Sequence, residues 1–241
     1  MNYLTYPTKV MNVTQNHFEG NHLNHSMGRP WDYPFDEACE GTGRSSFYCP
    51  CDEMKIVKIY GVGSGGVNTV WLESTEKVDM PAGRAVVTIM VEHVEDEDLK
   101  LLRVGQTFRR GEKIFREGKD GATGNHFHIS VATGKIAGTG WVSNGNAYVI
   151  DTGNSGTPLR ADHAFYIDDV RICNAAGYDF KEIPKEENQM DNTPDNYAVK
   201  AVEWAKKNGI LKGDDKGDLK LHDPITRQDA VVMLYRAKGA Y

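Results

Sequence analysis

The stretch Gly118-Lys119-Asp120-Gly121-Ala122-Thr123-Gly124-Asn125-His126-Phe127-His128-Ile129-Ser130 decides the fold expected of this chain. A glycine-rich loop leads directly into two histidines that are separated by one residue. In an extended segment, side chains at i and i+2 point to the same side, so His126 and His128 share one face while Phe127 and Ile129 face a core. The pattern suits half of a zinc site, and it suits two hydrogen-bonded surface histidines as well.

The composition narrows the class of protein. The 241 residues are 39% hydrophobic and 26% charged, which is ordinary for a soluble globular protein and leaves room for a β-rich domain with a small appendage. A net charge of −6 argues against nucleic acid as a partner. No apolar run approaches the roughly 18 residues of a membrane span, so no membrane partner is expected. Residues 1–10 lack the pattern of a signal peptide.

Four cysteines, at positions 39, 49, 51 and 173, are sparse for this length. Cys49-Pro50-Cys51 does not supply the C-x-x-C pair of common zinc sites. We interpret the four mostly as reduced core thiols, with a disulfide as the alternative.

Short β-branched runs separated by glycine-rich turns predict a mainly β domain over residues 1–180. Residues 1–30 are polar and predict a loop. Residues 95–102 favour one short helical turn. The predicted strands are 31–39, 54–60, 67–73, 85–93, 107–109, 114–116, 129–131, 141–142, 147–150 and 163–167.

The tail has a different pattern. Residues 181–196 are charged and nearly devoid of core formers, which predicts a linker. The apolar period then changes from two to 3.6, which predicts a small helical unit over 197–241. Its first helix ends at Gly209, and Thr226 is the N-cap of the second. The loop 213–218 resembles a calcium loop but lacks the bidentate glutamate, so an exposed turn is expected.

A catalytic zinc takes three protein ligands, and the upstream chain offers candidates for the rest of the set. His25 is followed by Asp32 and Asp36. His93 ends an apolar strand, where a capped strand-end histidine is the alternative reading. A carboxylate among histidine ligands keeps zinc a strong Lewis acid.

The order of these motifs resembles that of the lysostaphin/LytM-type zinc metallopeptidases. An early His and Asp precede a His at the end of a middle strand, and Gly105-Gln106 and Gly121-Ala122-Thr123-Gly124 precede the His-x-His pair. The resemblance covers about residues 14–131. It implies an antiparallel β fold, a zinc cofactor and bacterial peptidoglycan as substrate.

Carried over by position, the resemblance implies that His25, Asp36 and His128 bind zinc. His93 and His126 then act in proton transfer and oxyanion stabilisation. Asp36 is favoured over Asp32 because Phe35-Asp36-Glu37-Ala38 fits the segment of the family that carries the aspartate.

Three points of the site stay open in the sequence. The family's aspartate follows its histidine by four residues, whereas Asp32 and Asp36 follow His25 by seven and eleven. Asp32 therefore remains an alternative to Asp36, and His22 remains an alternative to His25. Asn125 stands where the family has proline before the His-x-His pair, and we assign it to substrate contacts.

The tail has a resemblance of its own. Residues 201–213 and the segment Pro224-Ile225-Thr226-Arg227 look like one S-layer homology repeat. Such repeats bind secondary cell-wall polymers, and the resemblance implies that Thr226 and Arg227 face the glycan. A structural or oligomerising helix pair is the alternative.

The two resemblances together predict an endolysin-like peptidoglycan hydrolase that cleaves the cross-bridge or the stem peptide. Its glycine-rich loops, 61–66 and 118–124, would flank a groove for an extended peptide. We expect synthesis in the cytoplasm and release through a holin or lysis. The alternative is a non-catalytic wall-binding or scaffolding protein with a degenerate metal site.

Overall fold

The computed structural model describes residues 1–41, 43–61, 67–184 and 192–238. The chain forms two compact units, the first over Met1–Ile183 and the second over Pro184–Tyr241. Each unit is described by itself. Residues 62–66 of the predicted glycine-rich loop 61–66 lie outside the described residues. Residues 185–191, in the middle of the predicted linker, also lie outside them.

The first unit is built from short strands with three short helices. The first strands are β1 (Val10–Gln15), β2 (Phe35–Glu37), β3 (Ser46–Tyr48), β4 (Glu53–Tyr60), β5 (Thr69–Ser74), β6 (Val78–Met80), β7 (Gly83–Ala85), β8 (Val87–Glu92) and β9 (Thr107–Arg109). The later strands are β10 (Lys113–Arg116), β11 (Phe127–Thr133), β12 (Trp141–Ser143), β13 (Tyr148–Ile150), β14 (Pro158–Leu159), β15 (Tyr166–Ile167), β16 (Arg171–Asn174) and β17 (Lys181–Glu182). The helices are α1 (His22–Ser26), α2 (Asp96–Leu99) and α3 (Ala161–Ala164), and Gly153–Ser155 forms a 3-10 turn.

One large sheet forms the centre of this unit. Its strand order is β16-β1-β2-β11-β8-β5-β4-β9, with β14 also paired to β11. All of these pairs are antiparallel except β1 with β16. The mainly β, antiparallel class predicted from the sequence is therefore confirmed.

The two faces of the sheet carry different cores. Phe127, Ile129 and Val131 of β11 are buried in the main core, as the alternation of the sequence predicts. A second, smaller cluster contains Trp71 and Ala132, with Trp141 packed against it. The two clusters together bury β5 and β8 on both faces, which explains their continuous apolar sequences.

Glu37 fixes strand β2 at the centre of the sheet. Its buried carboxylate accepts hydrogen bonds from the Tyr6 hydroxyl at 2.5 Å and from the Asn12 backbone N–H at 3.1 Å. Burial raises the pKa of Glu37 to about 8. Because consecutive side chains of a strand alternate, anchoring Glu37 on the core side turns the adjacent Asp36 to the opposite face.

Three expectations about secondary structure are wrong. Residues 1–30 are not one loop, because β1 alternates buried Met11 and Val13 with less buried neighbours, and residues 22–26 form α1. The first residues of the predicted strand 163–167 belong to helix α3 instead. Ala161 and Ala164 are both buried and lie one helical turn apart, which favours a helix there. The predicted linker starts with strand β17, which pairs with β15.

The cysteines are free thiols, as expected, although not all are core residues. Cys49 and Cys51 are buried, whereas Cys173 is exposed. Within the described ranges, no helix has both the length and the apolar character needed to cross a membrane.

The second unit contains α4 (Val199–Lys207) and α5 (Arg227–Ala237). Gly209, with a φ of +68°, follows α4, and the Thr226 hydroxyl accepts a hydrogen bond from the Asp229 backbone N–H at 3.1 Å at the start of α5. Both predicted caps are thus present. In the loop 213–218, the Asp214 carboxylate accepts hydrogen bonds from the Lys216 and Asp218 backbone N–H groups, as in an ordinary turn.

A buried histidine makes the stability of the first unit dependent on pH. The Nδ1 atom of His17 lies 2.9 Å from the Tyr178 hydroxyl, and burial lowers the pKa of His17 to about 4. The unfolded chain takes up this proton near pH 6.5, whereas the folded chain resists it down to about pH 4. His17 therefore makes the free energy of unfolding fall as the pH drops through this window.

We expect His17→Phe to flatten that dependence. Urea unfolding of wild type and variant at pH 7 and pH 5 measures it, because the other titrating groups are common to both. The wild type should lose more stability between the two pH values than the variant. Equal losses would show that His17 is not held neutral by the fold.

Candidate metal centre

Two histidines and an aspartate converge on one point at the edge of α1 and the central sheet. Asp36 Oδ1 lies 3.1 Å from His22 Nε2 and 3.2 Å from His128 Nδ1, and the two nitrogens are 3.1 Å apart. Within the described residues these three form a group in which each offers one ligand atom. His22 and His128 are buried, and Asp36 is half-buried.

Strand register creates half of this group. Asp36 of β2 pairs directly with His128 of β11, so the two side chains stand next to each other on the same face. Helix α1 brings in His22 from the chain segment between β1 and β2. The Ser26 hydroxyl, which donates to the His17 carbonyl at 2.7 Å, closes this segment on itself.

The backbone sets the orientation of the His22 ring. Its Nδ1 atom lies 3.0 Å from the Asn16 carbonyl oxygen, which can only accept a hydrogen bond. Nδ1 therefore carries a proton, and the ring is turned so that Nε2 points at Asp36 and His128. Histidines that bind a metal through one ring nitrogen commonly donate the N–H of the other nitrogen to a backbone carbonyl in this way.

The His-x-His pair and the preceding loop add two further imidazoles beside the group. His93 Nδ1 donates to the Asp120 carbonyl at 2.7 Å, and His126 Nδ1 donates to the Gly124 carbonyl at 2.9 Å. The two rings lie 4.5 Å apart between centroids. Each Nε2 is then left with a lone pair, and that of His126 lies 3.7 Å from Asp36 Oδ1.

A close backbone approach holds these two imidazoles together. His93 has a φ of +69°, a left-handed conformation that is costly for a residue with a side chain. Gly118 passes so near that a Cβ atom there would lie 2.2 Å from the His93 carbonyl oxygen. Gly118 also bridges to His126. The glycine-rich loop thus joins the end of β8 to the start of β11.

Asp36 and the neighbouring imidazoles shift one another's pKa values. Burial alone would raise the pKa of Asp36, but hydrogen bonds with His128 and His22 hold it well below its usual range. Burial opposes a charge on His128, yet the hydrogen bond with Asp36 and the nearby Glu92 carboxylate raise its pKa to about 9. Burial lowers the pKa of His93, which favours a neutral imidazole there.

These donors fit zinc. Tetrahedral zinc with bonds of roughly 2.0–2.1 Å to nitrogen and oxygen places neighbouring ligand atoms roughly 3.3 Å apart. The three observed separations, 3.1, 3.1 and 3.2 Å, are close to that edge length. Two imidazoles and one carboxylate are also a ligand set that leaves a coordination position open.

The group contains Asp36 and His128 of the three ligands that the resemblance implies. His25 lies near the group, with its ring centroid 5.3 Å from that of His128, but it is not part of it. The third member of the group is His22, the alternative to His25, which lies on the same short helix. Both histidines face the site because they are three residues apart on α1, so nothing in the local sequence separates them.

Asp32, the alternative to Asp36, lies outside the group as well. It is fully buried and accepts hydrogen bonds from the Tyr33 and Ile150 backbone N–H groups at 2.7 and 3.2 Å. Burial raises the pKa of its carboxyl. Asp32 therefore holds the chain before β2 against β13.

The remaining residues that we assign to substrate contacts lie in both units. Asn125 is half-buried and directly precedes the His126 imidazole. Thr226 and Arg227 are exposed at the start of α5. Among the described residues of the second unit, neither of these two lines the groove of about 860 Å³ to which Lys212, Asp229 and Arg236 contribute.

A family model matches the tail, and one curated protein matches most of the chain. Residues 190–231 match the S-layer homology domain family. The tail resembles an S-layer homology repeat. Over 184 residues the chain is 29% identical to Morphogenesis protein 1 of Bacillus phage B103, a match that covers 73% of this chain and 43% of that protein.

Three solved structures align with about half of this chain. A zinc-containing peptidase from Vibrio cholerae aligns with a TM-score of 0.34 and 18% identity, over 54% of this chain and 36% of that chain. LytU aligns with a TM-score of 0.34 and 14% identity, over 55% of this chain and 78% of that chain. A putative peptidase from Pseudomonas aeruginosa aligns with a TM-score of 0.30 and 21% identity, over 54% of this chain and 48% of that chain.

The two histidines of α1 are separable by metal content. We expect His22→Ala to lose most of the bound zinc, because a ligand with a backbone-fixed lone pair is removed. His25→Ala should keep about one zinc per chain, as a site with three intact ligands does. Elemental analysis after dialysis against limiting zinc measures both, and the opposite ranking would restore His25 as the ligand.

Proposed function

We propose that the first unit is a zinc-dependent endopeptidase that cleaves peptide bonds of bacterial peptidoglycan. One observation carries the proposal: three convergent ligand atoms lie beside two imidazoles that each hold a free Nε2 lone pair. His22, Asp36 and His128 would hold the metal. When bound, zinc supplies Lewis-acid activation of the scissile carbonyl and of a water molecule.

The protein's own residues supply proton transfer. In our proposal His93 accepts the proton of the attacking water through Nε2, because the Asp120 carbonyl fixes its proton on Nδ1. Burial lowers the pKa of His93, so its imidazole is neutral and ready to accept at neutral pH. His126 is fixed in the same way by Gly124. It would take up a second proton from solvent on Nε2 and donate it in a hydrogen bond to the oxyanion.

The second unit supports wall attachment. We assign it to the binding of a cell-wall polymer, because its sequence matches the S-layer homology family over residues 190–231. The related phage morphogenesis protein, of which the chain spans 43%, supports a phage-related protein. We propose that it acts as a wall hydrolase of the endolysin kind. Release by a holin or by lysis belongs to the same proposal.

Separate variants test the catalytic part. His93→Ala and His126→Ala should each lower kcat for wall digestion by about a hundredfold or more, because a positioned acid or base is lost. Zinc content should stay unchanged in both. Turbidity of Gram-positive walls, with muropeptides identified by mass spectrometry, measures the rate and the bond that is cut.

The alternative, a non-catalytic wall-binding protein, gives a different result. The wild type would then release no peptide fragments while still binding walls. Glycan fragments without peptide cleavage would also contradict an endopeptidase.

Attachment is tested by Arg227→Gln in the full chain. We expect weaker sedimentation with purified walls, because a cation and its planar hydrogen-bond donors are lost from the exposed start of α5. Lys200→Gln, which removes an exposed charge from α4, is the matched control and should bind as the wild type does. Equal binding by all three proteins would place the polymer site elsewhere.

A further inference from the structure

A row of side chains crosses the central sheet and begins at the metal centre. Asp36 pairs with His128, His128 with Glu92, and Glu92 with Thr69 on successive antiparallel strands. Thr69 pairs in turn with Tyr60 of β4. Since directly paired residues point to the same face, the row continues from the candidate ligands toward the far edge of the sheet.

A groove of about 640 Å³ lies along this row. Glu92, Thr69 and Tyr60 line it from the sheet, and His25 lines it at the end near the metal centre. This volume lies within the range of roughly 300–1,000 Å³ that is typical of ligand sites. The groove therefore offers a path for a substrate that extends away from the reacting bond.

Aromatic side chains form one wall of this groove. Trp141 packs against Tyr60 with ring centroids 4.8 Å apart, and Tyr148 lies 6.0 Å from Trp141. Lys58 stands over the rings of Trp71 and Trp141 and donates to the Thr139 carbonyl. The Lys58 ammonium group is thus already bound by these two rings and this carbonyl.

The Glu92 carboxylate has no such partner. It is half-buried, and no hydrogen bond or ion pair joins its side chain to another residue of the described ranges. Glu73, on the neighbouring strand β5, instead accepts a hydrogen bond from the Ile136 backbone N–H at 2.8 Å. Its charged neighbours are the His128 and His93 imidazoles, which it meets without a hydrogen bond. A partly desolvated carboxylate whose hydrogen-bonding capacity is unused gains most from a cationic hydrogen-bond donor.

Glu92 is also distinct from the metal ligands. The group of convergent ligand atoms contains His22, Asp36 and His128 but not Glu92. The free carboxylate thus lies one strand further along the row, where a substrate residue next to the reacting bond would pass.

We propose that Glu92 is a specificity-determining residue that binds a protonated primary amine of the substrate peptide. The aromatic wall of Tyr60, Trp141 and Tyr148 would pack against the methylene chain that carries the amine. The substrate class is therefore a wall peptide with a diamino acid beside the scissile bond. This inference rests on the proposed peptidase function, whose site it extends.

Two matched substrates test it on the zinc-loaded full chain. They are a lysine-containing stem peptide and the same peptide with its lysine Nε atom acetylated. The wild type should cleave the free amine with a kcat/KM at least about tenfold higher, since acetylation removes a charge-assisted hydrogen bond to the carboxylate. In Glu92→Gln the preference should disappear, through a higher KM for the free amine and an unchanged rate with the acetylated peptide.

The matched control is Glu76→Gln, which removes the same charge at an exposed position after β5. It should keep the preference of the wild type. If Glu92→Gln lowers kcat equally for both peptides at unchanged zinc content, Glu92 acts in the chemistry and the specificity inference is overturned, while the peptidase proposal stands. Equal kcat/KM for both peptides in the wild type also overturns the inference.

A binding measurement separates this inference from the proposed activity. The cleaved, lysine-containing fragment and its acetylated form are titrated into wild type and Glu92→Gln by calorimetry. Tighter binding of the free amine by about tenfold in the wild type, lost in the variant, supports the inference even if no wall peptide is cleaved. Equal binding of both fragments by the wild type rejects it whatever the activity is.

Discussion

The pairing of Asp36 with His128 is the contact on which the rest of the site depends. It joins the short strand β2 to the centre of the sheet and places a carboxylate against an imidazole on one face. A shift of register by one residue would turn Asp36 toward the core and Glu37 toward the metal centre. The buried hydrogen bonds of Glu37 to Tyr6 and Asn12 oppose that shift. The hydrogen bonds of Glu37 therefore keep its side chain on the core face and the Asp36 side chain on the face of the candidate metal centre.

Backbone carbonyls give the imidazoles separate roles. His22, His93 and His126 each donate Nδ1–H to a carbonyl oxygen, so each presents Nε2 as a lone pair. His128 presents Nδ1 instead, because Asp36 and His22 lie on that side of its ring. Carbonyls orient a ring without adding a charge, which leaves the charge balance of the centre to Asp36 and, one strand away, to Glu92.

The two units obtain their stability in different ways. The first buries aromatic and β-branched side chains on both faces of its sheet, and its buried polar groups mostly have backbone partners. In the second, both helices lack buried residues, and side chains such as Trp204 and Leu234 are 57% and 66% exposed. Its local structure therefore depends more on caps and turns such as those at Gly209 and Thr226.

The sequence by itself determined the alternation of β11, the mainly β class of the first unit, the two helix caps of the tail and the histidines of the His-x-His pair. These features follow from periodicity and from capping chemistry, which are local. Only the tertiary structure brings His22, and not His25, into the group with Asp36 and His128, because both histidines lie on the five-residue helix α1 and differ only in how that helix meets the sheet. It also decided that Glu92 continues the row of Asp36 and His128, since residues far apart in the chain become neighbours only through strand pairing.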